Sequence, residues 1–197
     1  MAGSISRRSL LGLAVAVPVT GVGCKRAPEL PTLGSVGSFA LTDQAGLPVS
    51  EGTLRGQVWA AAFFFTRCPT VCPRITRKMR ELQQAAAKDS VKLQLVSFSV
   101  DPENDTPPVL QSYAKQYGAD LASWRFLTGD LEVVRKTSEQ GFKLALDGKA
   151  TAGAEHFGLF HGSHLVLVDG AGQIRGYYRT SEDEQLAQLL KDAASLS

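Results

Sequence analysis

Thr66-Arg67-Cys68-Pro69-Thr70-Val71-Cys72-Pro73 sets two cysteines four positions apart, where an apolar run ends and a helical pattern starts. Pro73 suits the first position of a helix, which puts Cys72 near the N-cap and Cys68 on the loop leading in. The partial positive charge of a helix N-terminus stabilises a thiolate, and Arg67 adds to it. A thiolate is both a redox nucleophile and a soft metal ligand, so two chemistries stay open. The spacing can bring the two Cα atoms within reach of a reversible disulfide. It also leaves three residues between the cysteines, more than in a Cys-x-x-Cys redox pair, and so makes room for a metal ion between the sulfurs. Two thiolates select Cu(I), with zinc as the main competitor. A merely stabilising disulfide, common in exported proteins, fits less well with flanking prolines at a strand-to-helix junction.

The elements around the pair alternate. Val58 to Phe65 is an unbroken apolar run, the signature of a central strand buried on both faces. Pro73 to Lys88 follows with Ile75, Met79, Leu82 and Ala86 at helical spacing. Val91 to Phe98 reads as a strand, Thr106 to Tyr117 as a helix stopped by Gly118, and Leu131 to Gln140 as another helix ending at Gly141. Phe142 to Leu146 and Leu165 to Val168 read as strands. Asp169-Gly170-Ala171-Gly172 turns the second of these into Gln173 to Arg179. Glu184 to Leu196 closes the chain as an amphipathic helix. Upstream, Phe39 and Leu41 before Asp43-Gln44-Ala45-Gly46 suggest an opening hairpin. The order β-α-β-α-α-β-β-α predicts an α/β fold, a mixed sheet with helices on both faces. With a cysteine pair after the first central strand, that is a thioredoxin-like plan.

Copper wants a third ligand, and the chain offers His156, His161 and His164. His161 lies in the loop entering the strand at Leu165, which in a thioredoxin-like sheet runs beside the cysteine-bearing helix entrance. His164, three residues on at the strand start, faces the other side of an extended segment. His161 is therefore the preferred ligand; His164 and His156 read as ordinary loop histidines. Ser99-Val100-Asp101-Pro102-Glu103-Asn104-Asp105-Thr106-Pro107 forms an extended loop and a capped helix start at the same sheet edge. Asp101 there steers a metal, tunes a nearby thiol or serves only the turn and cap.

The first 24 residues stand apart. Paired Arg7 and Arg8, an apolar run from Leu10 to Val22 and small residues before Cys24 describe an export signal. The run falls short of the ~20 apolar residues of a spanning helix. The arginines resemble a twin-arginine address, and Cys24 resembles the lipidated cysteine of bacterial lipoproteins. Residues 25–37 read as a tether and residues 38–197 as one domain. The chain is expected to be exported, membrane-associated through its N-terminus, and facing the periplasm or cell exterior. Its formal net charge of +2 is accounted for by Arg7 and Arg8, which leaves no basic field for nucleic acid.

Three segments together resemble the Sco/SenC family of copper chaperones. Phe63 to Pro73 is similar to its F-x-[YF]-T-x-C-P-x-x-C-P signature, and Ser99 to Pro107 to its S-[VI]-D-P-x-x-D-T-P segment. His161 stands eight residues before Asp169, as the family's copper-binding histidine stands before its D-x-x-G hairpin. Thr70 and Phe160 depart from the family's usual acidic or amide residues. The resemblance implies a thioredoxin fold with extra β-hairpins and one copper ion, Cu(I) or Cu(II), held by Cys68, Cys72 and His161. It also implies delivery to the copper-accepting subunit of cytochrome c oxidase, at its dinuclear centre. The alternative is a thiol:disulfide oxidoreductase, with Cys68 and Cys72 as a redox-active pair that keeps acceptor cysteines reduced. A thioredoxin-like reductant is then a further partner. Met1 and Met79, the only methionines, exclude a methionine-rich copper-loading loop.

Overall fold

The computed structural model describes residues 29–144 and 163–197; Cys24, His156 and His161 lie outside them. Eight strands form one sheet in the order β1-β8-β7-β4-β5-β6-β2-β3. They are β1 Gly34–Ser35, β2 Ala40–Asp43, β3 Pro48–Ser50, β4 Val58–Phe64, β5 Leu93–Ser99, β6 Trp124–Thr128, β7 His164–Val168 and β8 Gln173–Arg179. The helices are α1 Val71–Lys88, α2 Pro107–Gln116, α3 Leu131–Lys136 and α4 Asp183–Leu196. Strands β4, β5 and β6 run parallel, and β7 lies antiparallel on the other side of β4. This is the expected mixed sheet.

Every residue of β4 is buried, as its unbroken apolar run requires of a strand covered on both faces. Its alternate side chains enter two cores. Val58, Ala60, Ala62 and Phe64 join Ile75 and Met79 of α1, Leu110 and Tyr113 of α2, and Leu186 and Leu189 of α4. Trp59, Ala61 and Phe63 face the other way, toward Phe39, Leu54, Val134 of α3 and Phe142. In that second layer Phe63 stacks on Phe98 with centroids 5.1 Å apart, and Phe142 meets Phe63 edge-on at 5.3 Å. Such pairs contribute about 0.5–1.5 kcal/mol each beyond the area they bury.

Three boundaries differ from expectation. The alternation Phe142-x-Leu144 reads as a strand, but no strand forms over residues 142–144. A wide turn over Thr137–Gly141 extends α3 and drops Phe142 into the aromatic layer, while residues 145–146 lie outside the described part. The strand β6 was missing from the expected order; Trp124 and Phe126 fill the first core, and Gln44 Oε1 accepts the Phe126 N–H at 2.9 Å. The second half of the segment read as a tether joins the sheet edge, where Leu33 N–H donates to Ile174 O at 2.8 Å.

The turn over Thr137–Gly141 is tied to this N-terminal edge by an unusually close approach. A Cβ at Gly141 would stand 2.2 Å from the carbonyl oxygen of Val36. Gly141→Ala is expected to force the two apart at a cost of about 1–3 kcal/mol. Urea denaturation should show a lower midpoint at unchanged slope; an unmoved midpoint would contradict the close packing.

Candidate metal and thiol centre

The carboxyl ends of β4 and β5 meet the amino end of α1, the usual place for a site in an open parallel sheet. Cys68 and Cys72 are both reduced there and both buried, with Cys68 8% and Cys72 1% exposed. Helix α1 begins at Val71, two residues before Pro73, so Cys72 already lies inside its first turn. The N-cap residue Thr70 makes no side-chain cap hydrogen bond. Its role falls to sulfur: the Cys72 N–H donates to Cys68 Sγ at 3.4 Å. A helix start leaves its first N–H groups without backbone acceptors, and a thiolate suits them by charge as well as by lone pairs.

The two thiols are consequently unlike. Burial works to raise Cys68, but the N–H groups of Cys72, Thr70 and Val71 and the Cys72 thiol all favour its thiolate and bring it below the ordinary thiol value. Burial drives Cys72 strongly upward, and the neighbouring Cys68 and Asp105 charges add to that. Arg67 does not act as expected. Its guanidinium turns to Asp101, donating from Nη2 at 2.8 Å and Nε at 3.0 Å, so its charge is largely spent on that carboxylate.

Asp105, which the sequence offers only as part of the loop leading into α2, lies in the site's foundation. It is fully buried, and its carboxylate accepts the Thr66 N–H at 3.1 Å and the hydroxyls of Thr66 and Ser99. Burial raises its carboxyl above the usual range despite those donors. The loop after β5 is thereby locked to the loop after β4, two residues before Cys68. Asp101 sits in the same loop, holding Arg67 and the Asn104 amide. The signal for this was present as two aspartates in a proline-bounded loop, but only the sheet order shows which of them turns inward.

The register Ala61↔Val166 brings the amino end of β7 to the cysteine end of β4. Leu165 and Leu167 enter the core layer that holds the cysteines, and Val166 and Val168 the opposite one. His164 alternates with Leu165 at the start of β7 and is half-buried; burial chiefly lowers its imidazole, and Arg179 adds to this. Among the described residues no group of three His, Cys, Asp or Glu side chains could hold a metal, so the described part of the centre is the cysteine pair. Among them, too, no helix is long and apolar enough to cross a membrane.

Two tests follow from the unlike thiols and their support. In the reduced protein, iodoacetamide should label Cys68 first, with a rate rising through a pKa below the ordinary thiol value of about 8.5. Peptide mapping that finds Cys72 labelled first would refute the assignment. Asp105→Ala strands the buried Thr66 N–H and should cost about 1–3 kcal/mol in chemical denaturation; a neutral substitution would show that the lock carries no load.

The chain matches the SCO1/SenC family over residues 29–195. It is similar to a SCO1/SenC family lipoprotein from Bacillus anthracis, at 33% identity and TM-score 0.76, covering 84% of this chain and 96% of the other. BsSco, described as having a disulfide switch and as a member of the Sco family of cytochrome c oxidase assembly proteins, is 32% identical at TM-score 0.72, with 85% and 98% covered. Copper-bound ScoI of Bradyrhizobium japonicum is 28% identical at TM-score 0.64, with 79% and 97% covered. With the sheet order, the reduced cysteine pair at the start of α1 and these matches together, the chain belongs to the SCO1/SenC family, on a thioredoxin-like fold.

Proposed function

We propose that this protein is a copper metallochaperone that binds its cargo through Cys68, Cys72 and His161 and passes it to the copper-accepting subunit of cytochrome c oxidase. The observation that carries this reading is the pair of free sulfurs at one helix entrance, one of them held toward the thiolate form. Two thiolates are a soft donor set suited to Cu(I). The relatives support the cargo and the recipient: one holds copper, and another belongs to a family of oxidase assembly proteins.

His161 supplies the third donor in this reading. It stands two residues before Ser163, whose carbonyl accepts the Thr180 N–H at 2.7 Å beside the start of β7. Ser163 stands at the cysteine end of the sheet, which supports a donor two residues before it in the chain. Export through the paired arginines and a lipid on Cys24 would hold the domain at the outer membrane surface where the oxidase receives its copper; the B. anthracis relative is a lipoprotein.

The second reading, a thiol:disulfide oxidoreductase for the acceptor's cysteines, is favoured by the unlike thiols. A lowered Cys68 attacks, and a buried Cys72 resolves. Anaerobic Cu(I) titration of the reduced protein separates the two. The chaperone binds one equivalent, loses more than about tenfold in affinity with His161→Ala, and loses binding altogether once Cys68 and Cys72 are oxidised to a disulfide. Absent or unaltered binding, with rapid reduction of a disulfide substrate, would establish the reductase instead.

A further inference from the structure

The half of α1 beside the cysteines is basic in a domain that is otherwise acidic. Residues 66–81 hold Arg67, Arg74, Arg77, Lys78 and Arg80 against one acid, Glu81. Arg7, Arg8, Lys25 and Arg26 precede the first acidic residue, Glu29, so residues 29–197 carry a net charge of −2. The first half of α1 is thus a basic strip at the helix end that carries the cysteines, beside the acidic loop of Asp101, Glu103 and Asp105. Arg74 and Arg77 are exposed and lie on one face of the helix with Lys78. Among the described residues neither arginine makes an ion pair, whereas Lys78 meets Glu81 and Asp183, and Arg67 meets Asp101.

Folding alone does not ask for this pattern. The first turn of α1 has no acidic residue, and Arg74 stands near the positive end of the helix dipole. Like charges at Arg74, Arg77 and Lys78 repel at three- and four-residue spacing. A local feature that opposes stability and whose arginines make no ion pair among the described residues points to a function outside the fold.

We propose that the basic face of α1 docks an acidic protein surface, one whose carboxylates surround the sulfur ligands that exchange with Cys68 and Cys72. The identification of that surface with the metal acceptor rests on the metallochaperone reading. A protein fits better than an anionic membrane because the same end of α1 carries the site, with Cys72 on the buried face and Arg74 and Arg77 on the exposed one. Lipid headgroups offer no sulfur or imidazole to take the cargo, and they would cover the route by which it leaves. Opposite charge on the acceptor steers the encounter and turns Cys68 toward it.

The test uses Arg74→Glu/Arg77→Glu, with Lys92→Glu/Lys115→Glu as a control of equal charge change at exposed positions elsewhere. Two small disulfides probe the field: dianionic 5,5′-dithiobis(2-nitrobenzoate) and dicationic cystamine. The Cys68 thiolate attacks one sulfur and releases one thiolate. Cys72 then gives its proton to water and displaces the second, leaving a Cys68–Cys72 disulfide. At low salt the anionic reagent should react faster, and the rate ratio should fall at least about tenfold in the arginine variant but not in the control.

The association rate with the purified copper-accepting oxidase domain of the same organism should fall by a similar factor. The thermal midpoint of the arginine variant should hold or rise, since a glutamate suits a helix start, so misfolding does not explain the loss. An unchanged rate ratio or an unchanged association rate would overturn the proposal. So would arginine-dependent binding to phosphatidylcholine–phosphatidylglycerol vesicles in place of the domain. If the protein binds no copper and the anionic disulfide is still slowed in the variant, the chaperone reading falls while the docking face stands.

Discussion

Helix α1 can start where it does only because something accepts its first N–H groups, and the acceptor is a sulfur. Thr70, in the position where a hydroxyl normally caps, makes no such bond, and Cys68 Sγ takes the Cys72 N–H instead. The helix end favours negative charge on that sulfur, and the sulfur completes the helix end, so each stabilises the other. From this follow the burial of Cys72 within the first turn of the helix, the divergence of the two thiols, and the closeness of both to the ends of β4 and β5.

Holding Cys68 in place requires the loop before it to be fixed, which is the task of Asp105. A buried carboxylate is costly unless its lone pairs are filled. Thr66 gives it a backbone and a hydroxyl donor, and Ser99 a second hydroxyl. The donors come from two neighbouring parallel strands, so the bond network ties the ends of β4 and β5 together at the point where both chains leave the sheet. Arg67 and Asp101 repeat the link nearer to solvent, with the arginine side chain 62% exposed. Exposure makes that outer pair worth little for stability. Its effect is on the field around Cys68, since it takes up a cation that the sequence alone offers to the thiolate.

The parts of this arrangement visible in the sequence are those set by short-range pattern. Val58 to Phe65 announces a doubly buried strand because no polar residue interrupts it, and Asp169 to Gly172 announces a hairpin by its turn chemistry. The cysteine spacing at a strand-to-helix junction announces a thiol site. What escaped depends on partners far along the chain. Trp124-Arg125-Phe126 alternates over too few residues to stand out, and becomes a strand through β5 on one side and β2 on the other. Phe142 looks like the start of a strand because it is apolar and alternates with Leu144; its burial is instead that of a single ring entering between Trp59 and Phe63. Asp101 and Asp105 share a loop and a residue type, and only the path of β5 decides which one is buried.

The unlike thiols also bear on how cargo binding and redox chemistry share one site. A metal must displace any proton its sulfur ligands hold. Cys68 is held toward the thiolate form and Cys72 away from it, so most of the proton cost of assembling the centre falls on Cys72. The same is true of closing a disulfide, in which Cys72 must also lose its proton before it attacks. Both reactions therefore pass through one event, the deprotonation of a buried thiol flanked by Cys68 and Asp105. An incoming cation lowers the cost of that event by neutralising the Cys68 charge, whereas a disulfide partner does so only after Cys68 has been capped by the mixed disulfide. Cys68, held toward the thiolate, is the sulfur poised to engage first in either reading, and burial is the chief cost of engaging Cys72.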